Sequence, residues 1–330
     1  MRIKIIKPGV LTTIQDRGRN LYLSDAVPVS GCMDSLSARI SNIAIDNDED
    51  CAVLEFTYGN SSFITETPCI ISYAGSGGAL IHKETILPSN RPLFIPQGKL
   101  ISIVHKTSGS RVYVAIKGGF NVEPILGSRS TFLTGGFGGF KGRRLSSGDQ
   151  LESLFEIRDN DFNSQEIKTA DWSINHESLL PETKNKIRVV KGREANWFTD
   201  KSVSTFFSDS FYLSLRSNRM GIHLEGPLIE RKAKKELLST AVTPGTIQVT
   251  GEGRLILLMQ DCQTTGGYPR IGNVASVDLA LCGQLKAGDQ ITFEEISFDE
   301  SLELYLQREK QLLDLAKHVK NKMKSFHVTH

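Results

Sequence analysis

The chain has 330 residues, and its 39 lysines and arginines against 37 aspartates and glutamates leave a formal charge of only +2. So even a balance supplies no broad basic surface for nucleic acid or an anionic membrane, and it leaves a small molecule or another protein as the expected partner. The length exceeds what a single core usually serves and suggests two domains.

The first ten residues, MRIKIIKPGV, alternate charged and apolar positions and break at Pro8-Gly9. They read as an opening strand rather than a leader, which would need a continuous apolar run. No later stretch approaches the roughly 20 apolar residues that span a bilayer, so a cytoplasmic protein is expected. Short strand-like runs follow: AVLEFTYGN, SSFITE, PCIISYAG, ALIHKETIL, PLFIPQGKLISIVH and RVYVAIKGG, each bounded by turn residues. Among them, Leu36, Ile40, Ile43 and Ala44 recur at helical spacing, with Asp34 placed to cap the N-terminus and Asp46-Asn47 to stop the helix.

A polar stretch, RDNDFNSQEIKTADWSINHESLLPETKNK, separates this half from a second β-rich half that starts at Ile187. We therefore assign residues 1–185 to a first domain plus linker, 186–298 to a second, and 299–330 to a C-terminal amphipathic helix. In that helix Leu302, Tyr305, Leu306, Leu312, Leu313, Ala316, Val319 and Met323 share one face and read as a packing surface. The halves end alike, in LSSGDQL from Leu145 and LKAGDQI from Leu285, which is a candidate internal repeat.

Five cysteines, Cys32, Cys51, Cys69, Cys262 and Cys282, are widely spaced with no Cys-x-x-Cys pair, and they read as free thiols. No metal-ligand spacing, phosphate-loop signature or nucleophile elbow is present. Chemistry must then come from Gly- and polar-rich blocks: PGVLTTIQDRGR with Gln15, Asp16 and Arg17; VPVSGCMDSLSARISN with Ser30, Asp34 and Arg39; GSRSTFLTGGFGGFKGRR with Arg129; SNRMGIHLEGP with Arg219; and DCQTTGGYPRIGNV. Adjacent glycines let backbone amides approach an anion, while Arg and Gln supply donors to a carboxylate or amide.

Taken together and in order, these blocks, with LEFTYGN, AIKGGFNVEPILGSRSTF and PGTIQVTGEGRLILLMQDCQTTGGYPRIGNV, resemble the KipA family, the C subunits of 5-oxoprolinase. That family is also described as biotin-dependent carboxyltransferase-like and is related to the second subunit of allophanate hydrolase. The resemblance runs from about residue 3 to 296. It implies a mainly β chain with two cyclophilin-like β-barrel domains, short helices and a C-terminal helix. It also implies two partners, a KipI-like B subunit and the A subunit of 5-oxoprolinase, and ATP-dependent opening of 5-oxoproline to glutamate, with ATP bound by or shared with those partners.

On this resemblance Asp261, Arg219 and Gln248 are the candidate catalytic residues, and Gln263, Thr264, Thr265, Gly266, Gly267, Tyr268 and Arg129 the candidate substrate-binding ones. Two alternatives stand beside it: a regulatory protein that antagonises a KipI-like kinase inhibitor, and a component of carboxyltransferase or allophanate hydrolase type using biotin carried on another protein. Biotin is not expected on this chain, because Lys322-Met323-Lys324 lies in the terminal helix. Two positions depart from the family: AGSGG places Gly77 where an aspartate is usual, and His223 stands where an arginine is common.

Overall fold

A computed structural model describes residues 1–155, 165–181, 185–233 and 235–328. The chain is mainly β and divides into two compact units, one formed by residues 1–18, 34–178 and 310–330, the other by 19–33 and 179–309. Residues 19–33, placed by sequence in the first half, thus group with the second. Parts of the expected linker, 156–164 and 182–184, lie outside the described residues.

In the first unit the strands are β1 (Arg2–Lys7), β2 (Leu11–Gln15), β3 (Val53–Thr57), β4 (Ser61–Thr65), β5 (Cys69–Ala74), β6 (Gly78–His82), β7 (Thr85–Ile86), β8 (Leu93–Ile95), β9 (Leu100–His105), β10 (Arg111–Ile116), β11 (Gln150–Glu152) and β12 (Lys168–Thr169). They form two six-stranded sheets, in the orders β11-β1-β4-β9-β6-β7 and β12-β8-β5-β10-β3-β2. β12 falls in the sequence expected to be linker; pairing with β8 supplies partners for its backbone and makes it an edge strand. Alternate residues of both sheets, among them Ile3, Ile5, Phe63, Ile101, Leu54, Phe56, Val112 and Val114, meet in one apolar core, as period-2 alternation requires.

The other face of the second sheet is buried but polar. Register places Thr13 beside Glu55, and Glu55 beside Tyr113. Helix α1 (Ser35–Ile43) starts at Asp34, whose carboxylate accepts from the Ser37 amide at 2.9 Å, the cap expected from sequence.

The second unit closes a seven-stranded barrel from β13 (Lys186–Lys191), β14 (Phe211–Leu213), β15 (Gly221–Glu225), β17 (Thr246–Val249), β18 (Leu255–Leu258), β20 (Arg270–Val274) and β21 (Gln290–Glu295), in the order β13-β20-β17-β18-β15-β14-β21. Outside the barrel, β16 (Thr240–Ala241) and β19 (Thr265–Gly266) pair as a short antiparallel ribbon. Helix α2 (Asp200–Ser208) sets Phe206 into the core, where its ring stacks on Phe293 with centroids 4.6 Å apart and lies 6.2 Å from Phe211. A short helix, α3 (Leu279–Cys282), precedes β21.

The repeated Gly-Asp-Gln string makes the same turn in both units. Asp149 accepts from the Ser146 amide at 2.7 Å and Asp289 from the Lys286 amide at 3.0 Å. The glycine before each aspartate has a left-handed backbone, φ 91° at Gly148 and 86° at Gly288, and a strand begins at the following glutamine.

Helix α4 (Phe298–Val328) runs as expected, but its apolar stripe is not one packing face. Leu312, Val319 and Met323 are buried, whereas Leu302, Tyr305, Leu306 and Leu313 remain exposed. At 100° per residue the expected stripe is broad, and only one of its edges is covered.

Replacing Phe293 by Ala removes a ring stacked within the barrel core and should cost about 3–5 kcal/mol. Denaturant unfolding followed by tryptophan fluorescence checks this, and a loss below about 1 kcal/mol would contradict the packing described.

Candidate functional site

The segment from Asp261 to Tyr268 leaves β18 and returns as β20, so its ends are fixed by two barrel-forming strands. It is two-faced. Asp261 and Thr264 are buried, while Gln263, Thr265, Gly267 and Tyr268 are exposed and Gly266 is half-buried.

Arg219 accounts for the buried face. Its Nε donates to Asp261 Oδ2 at 2.8 Å and its Nη2 to Asp261 Oδ1 at 3.0 Å, a bidentate pair with both side chains buried. Nη2 also donates to the Gly31 carbonyl at 2.6 Å, and the Ser30 amide donates to the Gln260 carbonyl at 2.8 Å. The pair therefore locks residues 30–31 against 260–261. Ser30 sits there at φ 54°, a left-handed conformation uncommon for a residue with a side chain, and its hydroxyl is buried without a hydrogen-bond partner.

Gln248 supports the exposed end. Its side chain lies under the loop, with Nε2 3.4 Å from the Tyr268 carbonyl. A Cβ on Gly266 would stand 2.5 Å from that same Nε2, so the backbone comes this close only because residue 266 is glycine. The ribbon is tied down from the other side as well: the Val242 amide donates to the Thr264 carbonyl at 2.9 Å. Arg270 donates from Nη1 to the Ala241 carbonyl at 3.1 Å, while buried Glu194 grips its Nε and Nη2 at 2.7 Å each. The Arg270 hydrogen bonds hold the Glu194 carboxyl below its ordinary range.

Of the residues singled out from sequence, Asp261, Arg219, Gln248, Gln263, Thr264, Thr265, Gly266, Gly267 and Tyr268 all belong to this region of the second unit. Arg129 belongs to the first unit. There its backbone amide donates to Asp16 Oδ2 and its Nε to the Val122 carbonyl at 3.0 Å. Asp16 is the centre of that loop cluster, accepting at Oδ1 from the Ser128 and Ser130 hydroxyls at 2.6 Å each and from the Gly18 amide at 2.8 Å. Two blocks more than a hundred residues apart are joined in this way.

Sequence reasoning passed over Glu55, Tyr113 and Arg111. The Tyr113 hydroxyl donates to Glu55 Oε2 at 2.8 Å and accepts from the Asp34 amide at 2.8 Å, and Arg111 Nε lies 3.8 Å from Glu55 Oε1. On the same face of that sheet, the Thr57 and Ser72 hydroxyls and Gln15 Oε1 are buried without hydrogen-bond partners. A glutamate and an arginine in strands otherwise filled with Val, Leu and Ile were the signal, but period-2 alternation assigns them equally well to a solvated face.

The two departures have local explanations. A Cβ at Gly77 would meet the Arg111 backbone nitrogen at 2.1 Å, so an aspartate there requires the backbone to move. His223 has its imidazole pKa lowered by burial and then by the charge of Arg216, which favours the neutral ring. Burial also pushes the Cys69 and Cys262 thiols up to about 12 and raises Cys282, so these three free thiols stay protonated. Among the described residues no helix is long and apolar enough to cross a membrane.

The family described as carboxyltransferase domain, subdomain A and B, matches residues 25–295. The chain is 33% identical over 314 residues to the C subunit of 5-oxoprolinase from Escherichia coli (strain K12), covering 95% of this chain and 97% of that protein. It is 32% identical over 319 residues to the urea amidolyase of Saccharomyces cerevisiae, of which it spans only 17%. The crystal structure of the Kluyveromyces lactis urea amidolyase superposes with a TM-score of 0.85 at 29% identity, over 95% of this chain and 20% of that one. The chain thus belongs to the carboxyltransferase-domain family. Within that family it is a homologue of the 5-oxoprolinase C subunits and of the carboxyltransferase part of urea amidolyase.

Removing one partner of a buried ion pair leaves the other charge uncompensated. Arg219→Met should therefore cost about 3–5 kcal/mol, and the double variant Arg219→Met, Asp261→Leu less than that single. Equilibrium denaturation of the three variants, read as a double-mutant cycle, checks it. Glu194 adds a pH dependence of known sign. With its folded pKa below the unfolded value, its contribution is present above the unfolded pKa and disappears as pH falls through the folded one. Glu194→Gln should flatten the acid limb of a plot of melting temperature against pH.

Proposed function

We propose that this chain is the C subunit of an ATP-dependent 5-oxoprolinase complex, hydrolysing 5-oxoproline to glutamate together with the A subunit and a KipI-like B subunit in the cytoplasm. The observation that carries this reading is coverage: the alignment to the Escherichia coli C subunit spans nearly the whole of both chains.

In this reading the exposed donors of the Gln263–Tyr268 segment bind the lactam and its carboxylate. Gln263 offers an amide and Thr265 a hydroxyl, Gly266 and Gly267 let the backbone approach, and Tyr268 supplies an apolar wall. Thr264 and Gln248 hold the segment's shape from below, and Asp261 with Arg219 fixes the point where it leaves the barrel. Arg129 belongs to the first unit, where its Nε donates to the Val122 carbonyl, and it is not assigned to this segment.

In the Gly-rich loop of residues 135–142 three amides are taken up by the loop itself, Gly136 by the Leu133 carbonyl, Phe137 by Phe132 and Gly142 by Gly138, and Arg143 is engaged bidentately by Asp149. In this reading ATP is bound by or shared with the companion subunits, and this chain binds and orients the lactam.

A second reading, carboxyl transfer to an amide using biotin borne by another protein, draws on the likeness to urea amidolyase at a TM-score of 0.85. Reconstitution separates the two. The full chain combined with the A and B subunits should form glutamate only when both ATP and 5-oxoproline are present; no glutamate under those conditions overturns the proposal. In the active complex Thr265→Val or Gln263→Ala should raise KM about 10- to 150-fold, the size expected for one lost hydrogen bond to a charged group, without lowering the melting temperature.

A further inference from the structure

The outward face of the sheet β11-β1-β4-β9-β6-β7 in the first unit is apolar at its middle. An antiparallel sheet with one face on the core ordinarily turns polar residues to the other side. Here Phe63, Leu80, Ile101 and Ile103 lie in the core, so alternation turns Ile64, Ile81, Leu100 and Val104 away from it. Register sets Ile64 beside Leu100 and Ile81 beside Ile86, and Val104 lies further along the strand of Leu100. Ile86, Leu100 and Val104 are 62, 46 and 38% exposed, and Ile64 and Ile81 are half-buried. Neighbours across and diagonally on one face of a sheet are within reach of each other. The five therefore make one patch, whereas apolar side chains exposed singly need no explanation.

Lysines border this patch. Lys4 stands beside Ile64 and Lys7 beside Ser62 on the β1 side, while Lys83 follows β6 at the turn into β7 and Lys106 follows β9. Lys7, Lys83 and Lys106 are exposed and Lys4 is half-buried. Lys7 Nζ has a neutral partner, Asn60 Oδ1 at 2.6 Å. Of the carboxylates close by, Glu66 is held by Arg2 at 2.7 Å, and Glu84 adjoins Lys83 in the turn. The border is basic on balance.

That pattern selects among occupants. A second copy of this chain would bring lysines against lysines, and like charges across an interface oppose association. Single-stranded nucleic acid stacks its bases on aromatic rings, and a membrane surface is entered by Trp, Phe and Leu beside a basic face; this patch has no aromatic ring. A different protein, presenting an apolar surface with an acidic rim, complements both its centre and its border.

We propose that Ile64, Ile81, Ile86, Leu100 and Val104 form the docking face for an acid-rimmed apolar surface of another protein, oriented by Lys83 and Lys106. That protein is one of the two companion subunits, an identity that rests on the reading under Proposed function.

Titration calorimetry of the full chain against each companion subunit tests it. Leu100→Glu should raise the dissociation constant for one companion by at least about tenfold, since it places a charge in the apolar seam. Leu100 is nearly half exposed, so circular dichroism should be unchanged. Lys83→Glu with Lys106→Glu leaves the apolar patch intact and should weaken the same complex about tenfold while flattening its salt dependence, whereas Lys83→Arg with Lys106→Arg should preserve it. Companions that bind the Glu variants as tightly as the unaltered chain, with glutamate still formed, overturn this docking face and leave the subunit reading standing. An unaltered chain that binds neither companion and forms no glutamate overturns both. Self-association, or capture by phosphatidylserine vesicles, that Leu100→Glu abolishes without affecting companion binding assigns the face to another occupant and also overturns the proposal.

Discussion

Buried carboxylates compensated by specific partners distant in sequence hold the loops of both units in place. A carboxylate removed from water without compensation costs several kcal/mol, so each of these dictates where a second segment must lie. In the barrel unit Asp278 takes the Arg188 amide at 2.8 Å and its Nε at 3.0 Å across 90 residues, and Glu194 takes Arg270 across 76. Asp261 takes Arg219 across 42. In the other unit Asp16 gathers hydroxyls and amides from residues 128–130, and Glu55 takes the Tyr113 hydroxyl. None of these pairs follows from local propensity. They place the long Gly-rich loops, which have few apolar side chains with which to place themselves.

That dependence marks where sequence reading succeeds and where it stops. Strands announced themselves by alternation and by Gly or Pro punctuation, and Asp34 by its place one residue before a helical run, because these are properties of neighbours in the chain. The Gly-Asp-Gln string was legible for the same reason: an aspartate that caps its own turn, a left-handed glycine and a following strand are all local. Glu55 was not legible, since an acid in an alternating strand says nothing about whether its face will be covered. The α4 stripe misled in the opposite direction. Its periodicity described a helix correctly, but periodicity does not say which part of a broad apolar surface the same chain will bury.

The candidate site shows the two kinds of information side by side. The DCQTTGGYPR stretch could be recognised as unusual from composition, and the structure brings it together with Arg219 and Gln248 from elsewhere in the barrel unit. What composition left open was the division of labour within it. Arg219 read as a free donor suits a substrate carboxylate; Arg219 bound bidentately to Asp261 and to the Gly31 carbonyl is largely committed to the fold. The groups able to meet a ligand are the exposed ones, Gln263, Thr265 and Tyr268.

This division gives the segment an economy of its own. A recognition loop must keep donors unsatisfied by the protein and yet stay in one conformation, and the two demands conflict when the same residues serve both. Here they are assigned to opposite faces of one short ribbon. Backbone carbonyls at 264 and 268 and the side chains of Asp261 and Gln248 absorb the ordering bonds, which leaves side-chain amide and hydroxyl groups outward at 263 and 265. Alternation makes this possible, because consecutive residues of an extended chain point to opposite faces. Of the two glycines that follow, Gly266 lies where the backbone passes close over Gln248, an approach that any side chain at 266 would prevent.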